Sequence, residues 1–254
     1  MTDSFALSLA AVDILSESLR LGPSPFPFEV PHNAQSSTQR AGIRAAVLAD
    51  LEQRGLAGSG RAEPAVEESL ATLYSSEIAL TSVALFEDGR QLLARVSSSN
   101  GAAVRAVLDG QLIHFDWVRP SALVQAVVEL LPDERPAFGQ SITITSGTEK
   151  SAKPEGAQFS KMVRAPQNGR AAQLAAARAI LKQRRIRVGQ LGIIPRGVRN
   201  QVPELGWFDT EAGRYLTQAS IGEDGKSWVT YAPADNAKLS HLLRDQLTRA
   251  LKEL

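Results

Sequence analysis

One segment of the sequence has the residue types of a phosphate-binding loop. It runs Ser220-Ile221-Gly222-Glu223-Asp224-Gly225-Lys226-Ser227 and ends, like the loops that hold nucleotide phosphates, in Lys-Ser. Such a loop has glycine where this segment has Ser220, and it must open a helix whose amides bind phosphate. The residues after Ser227 are β-rich instead. We therefore predict a Glu-Asp-Gly hairpin turn with an exposed lysine.

Other residue types that carry chemistry are sparse. The histidines His32, His114 and His241 lie in separate segments, and none has a partner at metal-ligand spacing. His241 precedes Asp245 by one helical turn, the spacing of a local ion pair. The absence of cysteine excludes disulfides, thiolate metal sites and cysteine nucleophiles. We find no nucleophile elbow, paired-carboxylate motif or dinucleotide fingerprint, so we predict no catalytic residues, no metal site and no cofactor.

A basic cluster lies in the second half of the sequence. Its members are Arg178, Lys182, Arg184, Arg185 and Arg187. A nucleic-acid-binding surface would need aromatic platforms or a recognition helix beside such a patch, and no aromatic residue is near it in sequence. Cations also suit the last turn of a helix, where they oppose the macrodipole. We favour a solvated helix end, with a phosphate-binding surface as the alternative.

Composition indicates a globular protein without a strong field. Of the 254 residues, 43% are apolar and 22% charged, and the formal net charge is +1. This balance does not attract nucleic acid or an acidic membrane. The first residues lack the basic region of a signal peptide, and no apolar run approaches the roughly 18 residues of a membrane span. We expect a cytoplasmic protein with no membrane insertion.

The first half predicts helices followed by a meander of strands. Apolar spacing predicts helices over roughly 4–20, from Ser36 to Gly55 and from Pro64 to Tyr74. The β-rich runs that follow are Ile78–Phe86, Arg90–Ser97, Ala102–Leu108 and Leu112–Val118. Glycines in the Glu-Asp-Gly and Asp-Gly dipeptides between these runs supply the positive φ of hairpin turns. A helix that carries Leu123, Val127, Leu130 and Leu131 is predicted to begin at Pro120-Ser121.

The second half predicts the same order of elements. Ser146–Gly169 is weakly patterned, a helix is predicted over about Ala171 to Arg184, and a helix capped by Asp235 ends the chain. The predicted strands between these helices are Ile186–Ile194, Gly206–Phe208, Arg214–Ala219 and Trp228–Tyr231. The fold class is therefore α+β, with a central antiparallel β-sheet flanked by N-terminal and C-terminal helices.

Two short echoes favour a duplicated helix–meander–helix unit with pseudo-two-fold symmetry. Gly89-Arg90-Gln91-Leu92 resembles Gly213-Arg214-Tyr215-Leu216, and a strand–Pro–helix junction occurs at both Pro120 and Pro233. We therefore expect residues 1–254 to form a single domain with quasi-repeated halves of about 1–135 and 136–254. Shared antiparallel architecture without duplication is the alternative.

The most specific pattern lies near the end of the chain. Gly206-Trp207-Phe208-Asp209-Thr210 precedes Gly213-Arg214-Tyr215-Leu216, which precedes Trp228-Val229-Thr230-Tyr231-Ala232-Pro233-Ala234-Asp235. This order resembles the C-terminal block of the EspG family, in which a W-D-T-x-x-G-R-Y run precedes a W-V-T-V-A-P-A-D strand and helix. The sequence departs from the family pattern at Phe208, where Leu is common, and at Tyr231, which stands for Val.

The resemblance extends in outline over the whole chain. Leu21-Gly22-Pro23 to Val30-Pro31, Arg54-Gly55-Leu56, and the basic start of the strand from Arg185 to Ile193 are also similar to the family. Ser146–Gly169 matches no pattern of the family. The matched residues have structural uses, because large aromatic side chains on strands fill a core between sheet and helices.

The EspG family comprises cytosolic chaperones of type VII (ESX) secretion in actinobacteria. The resemblance therefore implies a non-catalytic chaperone for a PE/PPE protein heterodimer that covers the apolar tip of the PPE protein, by helix-in-groove recognition. It implies that the sheet, a loop between two long strands and the C-terminal helices hold this tip. That loop maps to Ser97, Ser98, Ser99, Asn100 and Gly101.

Three other functions stay open at this point. One is a hydrolase or transferase of unrecognised type, because catalytic residues can assemble from distant positions, but the sequence shows no candidate set. A non-catalytic adaptor with the same fold could bind a different protein, because fold does not fix function. A nucleic-acid-binding protein that uses the Arg178–Arg187 cluster is less favoured, because the net charge is close to zero.

Overall fold

The structure is a computed structural model that describes residues 4–32, 36–146, 167–197, 202–222 and 225–252. Its strands pair without exception in antiparallel order. In chain order they are β1 Ser4–Ser8, β2 Ala57–Gly58, β3 Arg61–Ala62, β4 Ile78–Phe86, β5 Gln91–Ser99, β6 Ala102–Asp109, β7 Leu112–Trp117, β8 Ile142–Ser146, β9 Arg187–Pro195, β10 Leu205–Thr210, β11 Gly213–Ile221 and β12 Ser227–Pro233.

Helices flank this sheet. In chain order they are α1 Leu9–Ser18, α2 Ser37–Gln53, α3 Pro64–Tyr74, α4 Leu123–Val128, α5 Gln167–Lys182 and α6 Asn236–Leu251. One turn of 3-10 helix, Pro120–Ala122, precedes α4. Within the described ranges, no helix has the length and apolar character needed to cross a membrane.

Ten strands form one sheet in the order β1-β7-β6-β5-β4-β9-β10-β11-β12-β8, and β2 and β3 form a small separate hairpin. One face of the sheet packs against α4 and α6 around Leu80, Leu191 and Trp207. The opposite face packs against α1, α2 and α3 at β1, β6 and β7, and against α5 near Phe208 and Tyr231. We call this second side the groove face, because a stretch of it between the α1–α3 layer and α5 is left uncovered by the residues that the structure describes.

Most of the predicted elements are confirmed. The helix from Pro64 to Tyr74 and the strand from Ile78 to Phe86 have the predicted bounds. Ser36 caps α2 by accepting a hydrogen bond from the Gln39 amide at 3.2 Å. Asp235 caps α6 by accepting one from the Lys238 amide at 2.8 Å. The α+β fold with a central antiparallel sheet and flanking helices is therefore confirmed.

The predicted helix over roughly 4–20 is wrong in its first residues, which form the edge strand β1. Phe5 and Leu7 point to one side of β1, and the Phe5 ring stacks on Phe115 with centroids 5.1 Å apart. Ser8 then caps α1 by accepting a hydrogen bond from the Ala11 amide at 3.1 Å. The apolar spacing fits either element, and pairing with β7 decides between them.

Two further differences concern the middle of the chain. The edge strand β8 was not predicted, because five residues carry too little alternation to be distinguished from a loop. α4 ends at Val128, so the prediction that this helix carries Leu130 and Leu131 is wrong, and both residues follow it. The weakly patterned Ser146–Gly169 lies mostly outside the described residues, between Ser146 at the end of β8 and Gln167 at the start of α5.

A buried ion pair anchors the second half of the sheet. Arg214 Nε and Nη2 donate to the two Asp209 carboxylate oxygens at 2.6 and 2.9 Å, and neither side chain has exposed surface. The guanidinium also lies over the Trp207 ring, 4.7 Å from its centroid. Further donor groups of Arg214 bond the Pro132 carbonyl at 3.0 Å and the side chain of Asn236, the first residue of α6. The pair thus joins β10, β11, α6 and the segment that links the two halves.

Gly213 allows that linking segment to approach the sheet. Its φ is +118°, and a Cβ at this position would lie 2.7 Å from the Arg135 carbonyl oxygen and 2.8 Å from the Ala137 nitrogen. Hydrogen bonds of 2.8 and 3.0 Å connect the Arg214 backbone to Arg135 and Ala137. A side chain at Gly213 would separate these backbones.

We predict that Arg214→Met lowers the free energy of unfolding by about 3 kcal/mol, because it leaves the Asp209 carboxylate buried without its main partner. Urea unfolding followed by circular dichroism measures this difference. Arg90→Met is the matched control, since the Arg90–Asp88 pair is exposed and we expect a change within about 0.5 kcal/mol. Equal effects of the two substitutions would contradict the prediction.

Candidate partner-binding groove

The uncovered stretch of the groove face forms a cavity of about 1010 Å³. Its floor comes from β9, β10, β11 and β12, and its wall on the side of the first half comes from Thr81 and Phe26. Cross-strand register places Thr81 opposite Gly192, and Gln190, Gly206, Thr217 and Tyr231 in one row across the sheet. Cross-strand partners share a face, so these residues line one continuous surface.

Small residues make the floor flat. A Cβ on Gly206 would meet Thr217 Oγ1 at 2.2 Å, and a Cβ on Gly192 would meet Thr81 Oγ1 at 2.8 Å. Glycine within a strand often marks a site where another backbone comes close. Ala219 continues the small surface towards the end of β11. Here the Thr217 and Thr81 side chains lie over the two glycines and form part of the floor.

The rim of the groove is apolar and partly exposed. Phe26 is 53% exposed, Ile194 is 39% exposed, and Ile221 at the far end of β11 is 79% exposed. Phe208 and Tyr231 are buried where the floor passes under α5. Exposed apolar side chains grouped around a concavity are typical of protein-binding surfaces.

Two charged side chains of the described residues line the groove. The Arg185 guanidinium is 5.2 Å from the centroid of the Phe208 ring, a cation–π contact, and Glu204 lies by Gly192. In the described residues no group of three or more His, Asp or Glu side chains could hold a metal ion. The groove thus favours apolar contact over acid–base chemistry.

The residues of the predicted partner loop form a tight hairpin turn and the strand ends beside it. Asn100 and Gly101 have φ of 51° and 77° and connect β5 to β6 in a two-residue turn. Ser97 and Ser99 are buried, Ser98 is partly buried, and the two turn residues are exposed. Only the turn residues and Ser98 can therefore reach a partner without a change in the strands.

Two contacts place this turn next to the groove. The Asn100 amide donates to Glu77 Oε1 at 3.4 Å, and the Arg196 amide donates to the Glu77 carbonyl at 2.8 Å. Arg196 directly follows Pro195, which lines the groove. The hairpin tip and one end of the groove therefore lie at the same end of the sheet.

The sequence model of the EspG family matches residues 8–245 of this chain. The chain belongs to the EspG family. The fold is similar to a solved structure described as the Mycobacterium tuberculosis type VII secretion system chaperone EspG5 in complex with PE25-PPE41 dimer. That likeness has a TM-score of 0.67 at 12% identity and covers 99% of this chain and 96% of the other. No curated protein sequence matches this chain significantly.

Membership of the EspG family confirms the resemblance inferred from the C-terminal block and the prediction of a non-catalytic protein. Several residues of the C-terminal block make buried contacts that hold the fold together. Trp207, Asp209 and Arg214 form the buried ion pair and its cation–π contact, and the Tyr215 hydroxyl donates to the Phe138 carbonyl at 3.3 Å. Other residues of the block, among them Gly206, Phe208 and Tyr231, line the groove.

The other sequence candidates take up local roles in this EspG fold. The ends of the phosphate-loop-like segment lie on β11 and β12, which pair with each other, and the Gly222 amide donates to the Lys226 carbonyl at 2.8 Å. Glu223 and Asp224 of the predicted turn lie outside the described residues, and Lys226 is partly buried rather than exposed. The predicted His241–Asp245 contact is present at 3.5 Å on α6. His32 Nδ1 lies 3.4 Å from Asp13 Oδ1, and His114 is exposed on β7.

The basic cluster is largely engaged by neighbouring groups. Arg184 pairs with Glu87, Arg185 lies over Phe208, and Arg187 contacts Asp209 at 3.1 Å and Glu134 at 3.4 Å. Arg178 and Lys182 are exposed on α5. The cluster therefore serves mainly to attach the start of β9 to its surroundings.

Sequence reasoning missed the groove residues Thr81, Gly192, Gly206 and Thr217. The available signal was glycine at strand positions on one face, Gly192 in β9 and Gly206 in β10. The sequence does not show that these positions are neighbours, because their proximity depends on the β9–β10 and β4–β9 pairings.

We predict that Gly206→Ala lowers the free energy of unfolding by about 1 kcal/mol, because the new Cβ forces Thr217 out of its position. In a Thr217→Ala background the same change should cost close to nothing, since the clashing hydroxyl is gone. Urea unfolding of the four proteins in this double-mutant cycle measures the coupling. Additive effects would show that the two residues do not meet on the groove floor.

Proposed function

We propose that this chain is a cytosolic chaperone of type VII (ESX) secretion that binds a PE/PPE heterodimer. The groove covers the apolar tip of the PPE protein, which would otherwise self-associate. This keeps the cargo soluble until export. No cofactor takes part, and the interaction is between proteins alone.

The uncovered part of the groove face is the observation that carries this proposal. Helices cover the sheet elsewhere on this face, at β6 and β7 and near Phe208 and Tyr231. Between these layers, small residues and an apolar rim surround about 1010 Å³ of open space. A helical hairpin tip supplies apolar side chains that fit such a surface, as helices do in other groove-binding complexes.

Likeness to a solved relative supports the choice of partner. The structure titled as EspG5 with PE25-PPE41 dimer shares the fold over nearly the whole of both chains. The near-neutral composition of this chain agrees with an interaction that depends on apolar contact rather than on a strong field.

We propose that the hairpin tip contributes to the same interaction. Asn100 and Gly101 are exposed at the end of the sheet that holds Pro195, and Ser98 lies beside them. Ser97 and Ser99 support the turn from buried positions, Ser97 by accepting a hydrogen bond from Arg95 Nε at 3.0 Å. In this arrangement the tip adds polar contacts at one end of an apolar groove.

We also propose that the fold arose from duplication of one unit, with halves of about 1–135 and 136–254 in a single domain. In each half the edge strand, β1 or β8, lies next to the last strand of a four-strand meander, and the two meanders meet at β4 and β9. α4 and α6 follow these meanders on the same face. Pro120 and Pro233 occupy equivalent junctions between the last strand of a meander and the helix that follows it. The other sequence echo is not equivalent in position, because Gly89 precedes β5, the second strand of its meander, whereas Gly213 begins β11, the third strand of its meander.

Co-expression with the PE and PPE proteins encoded nearest to this gene tests the proposed function. We expect a stable complex with one copy of each protein on affinity purification and size-exclusion chromatography. Failure of well-folded PE/PPE pairs from every available locus to co-purify would contradict the proposal. An adaptor with the same fold and a different protein partner would then be the function to test.

A matched pair of substitutions tests the groove itself. We predict that Ala219→Arg weakens cargo binding at least about tenfold, because it places a charge on the exposed floor where the partner excludes water. Ala46→Arg makes the same chemical change at an exposed position of α2, and we expect binding within about twofold of wild type. Titration calorimetry of the purified variants measures both affinities. If Ala219→Arg binds the cargo with the affinity of the wild type, the cargo site does not lie in this groove.

A further inference from the structure

Arg95 is a buried cation with neutral partners. Its exposed fraction is 5%, and it lies on β5 on the groove face. Its Nε donates to Ser97 Oγ at 3.0 Å, Nη1 to the Phe26 carbonyl at 2.9 Å and Nη2 to Ser76 Oγ at 2.9 Å. A guanidinium has five N–H donors, so one on each terminal nitrogen has no acceptor among the described residues.

Other largely buried arginines of this chain pair with a carboxylate. Arg40 pairs with Asp13, Arg105 with Asp116 at 3.0 Å, and Arg214 with Asp209 at 2.6 Å. In the part of the chain that the structure describes, no carboxylate lies within ion-pair distance of Arg95. Burial lowers the pKa of Arg95 to about 10, so the side chain still carries its charge at neutral pH. A buried charge without a counter-charge destabilises the free protein.

The wall of the groove conceals this charge. Arg95 is the cross-strand partner of Thr81, and Thr81 lines the groove opposite Gly192. The Phe26 carbonyl accepts from Arg95, while the Phe26 ring is 53% exposed at the groove rim. The Phe26 segment therefore separates the guanidinium from the groove, and a group that displaces this segment would reach the terminal nitrogens.

We propose that Arg95 binds a carboxylate of the cargo, an acidic side chain that lies beside the apolar tip. This inference rests on the proposed function and specifies the chemistry of its partner. The carboxylate accepts from the terminal nitrogens Nη1 and Nη2, in the fork geometry that arginine offers to carboxylates. Because the site excludes water, the pair is stronger than an exposed one and fixes the orientation of the cargo in an otherwise apolar groove.

The test compares three variants of the full chain in titration calorimetry with the PE/PPE pair that binds the wild type. We expect Arg95→Met to weaken binding about thirtyfold or more, because a cargo carboxylate would be buried without its partner. Arg95→Lys keeps the charge and should bind more tightly than Arg95→Met. Arg105→Met is the control, since Arg105 lies on the opposite face in pairs with Asp116 and Glu129, and we expect binding within about twofold of wild type.

A second measurement uses the wild-type chain, so its first step does not depend on the stability of these variants. Each Asp or Glu at the PPE tip is changed to Asn or Gln, and binding to the wild-type chain is measured. We expect one such change to weaken binding about thirtyfold in wild type and to have no further effect with Arg95→Met.

The outcomes separate the two proposals. If the wild type binds a PE/PPE pair and neither Arg95→Met nor any amide substitution weakens binding, the inference about Arg95 is wrong and the proposed function stands. If the wild type binds no PE/PPE pair, the proposed function is wrong and this inference fails with it.

Discussion

The pairing of β4 with β9 is the contact on which the rest of the structure depends. It joins Ile78–Phe86 to Arg187–Pro195 in antiparallel register and makes one ten-stranded sheet from two groups of five strands. The groove exists only because of this pairing, since Thr81 and Phe26 come from the first half and the glycine floor from the second. Neighbouring strands lie about 4.8 Å apart, so the pairing brings residues that are distant in sequence into direct contact.

The buried ion pair Asp209–Arg214 secures the second half of this sheet at a cost in desolvation that apolar residues would not incur. The pair contributes positioning, because hydrogen bonds from Arg214 hold Pro132 of the linking segment next to Asn236 at the start of α6. The motif that identifies the EspG family therefore marks the construction of the fold. Gly206, Phe208 and Tyr231 belong both to this motif and to the groove, so the motif also builds part of the groove floor.

The sequence predicts those parts of the fold that rest on local chemistry. Pro64 at the start of α3 and the Asp235 cap define helix ends within a few residues, and both predictions are confirmed. β1 was mistaken for helix because the spacing of Phe5 and Leu9 fits both elements, and only pairing with β7 separates them. The groove could not be predicted, because none of Thr81, Gly192 and Thr217 has a distinctive sequence context. They form one surface only because the pairings of β4, β9, β10 and β11 bring them together.

An apolar groove alone would bind many partners weakly in several orientations, because apolar contact has no direction. In the proposed complex, two polar features beside this groove would limit that freedom. The exposed hairpin tip at Asn100 lies at one end, and the guanidinium of Arg95 lies behind the wall formed by Phe26. A partner that lacks a carboxylate at the matching position would fill the groove yet leave Arg95 unpaired. Discrimination would then come from the charge that is left buried, which costs more than a lost apolar contact.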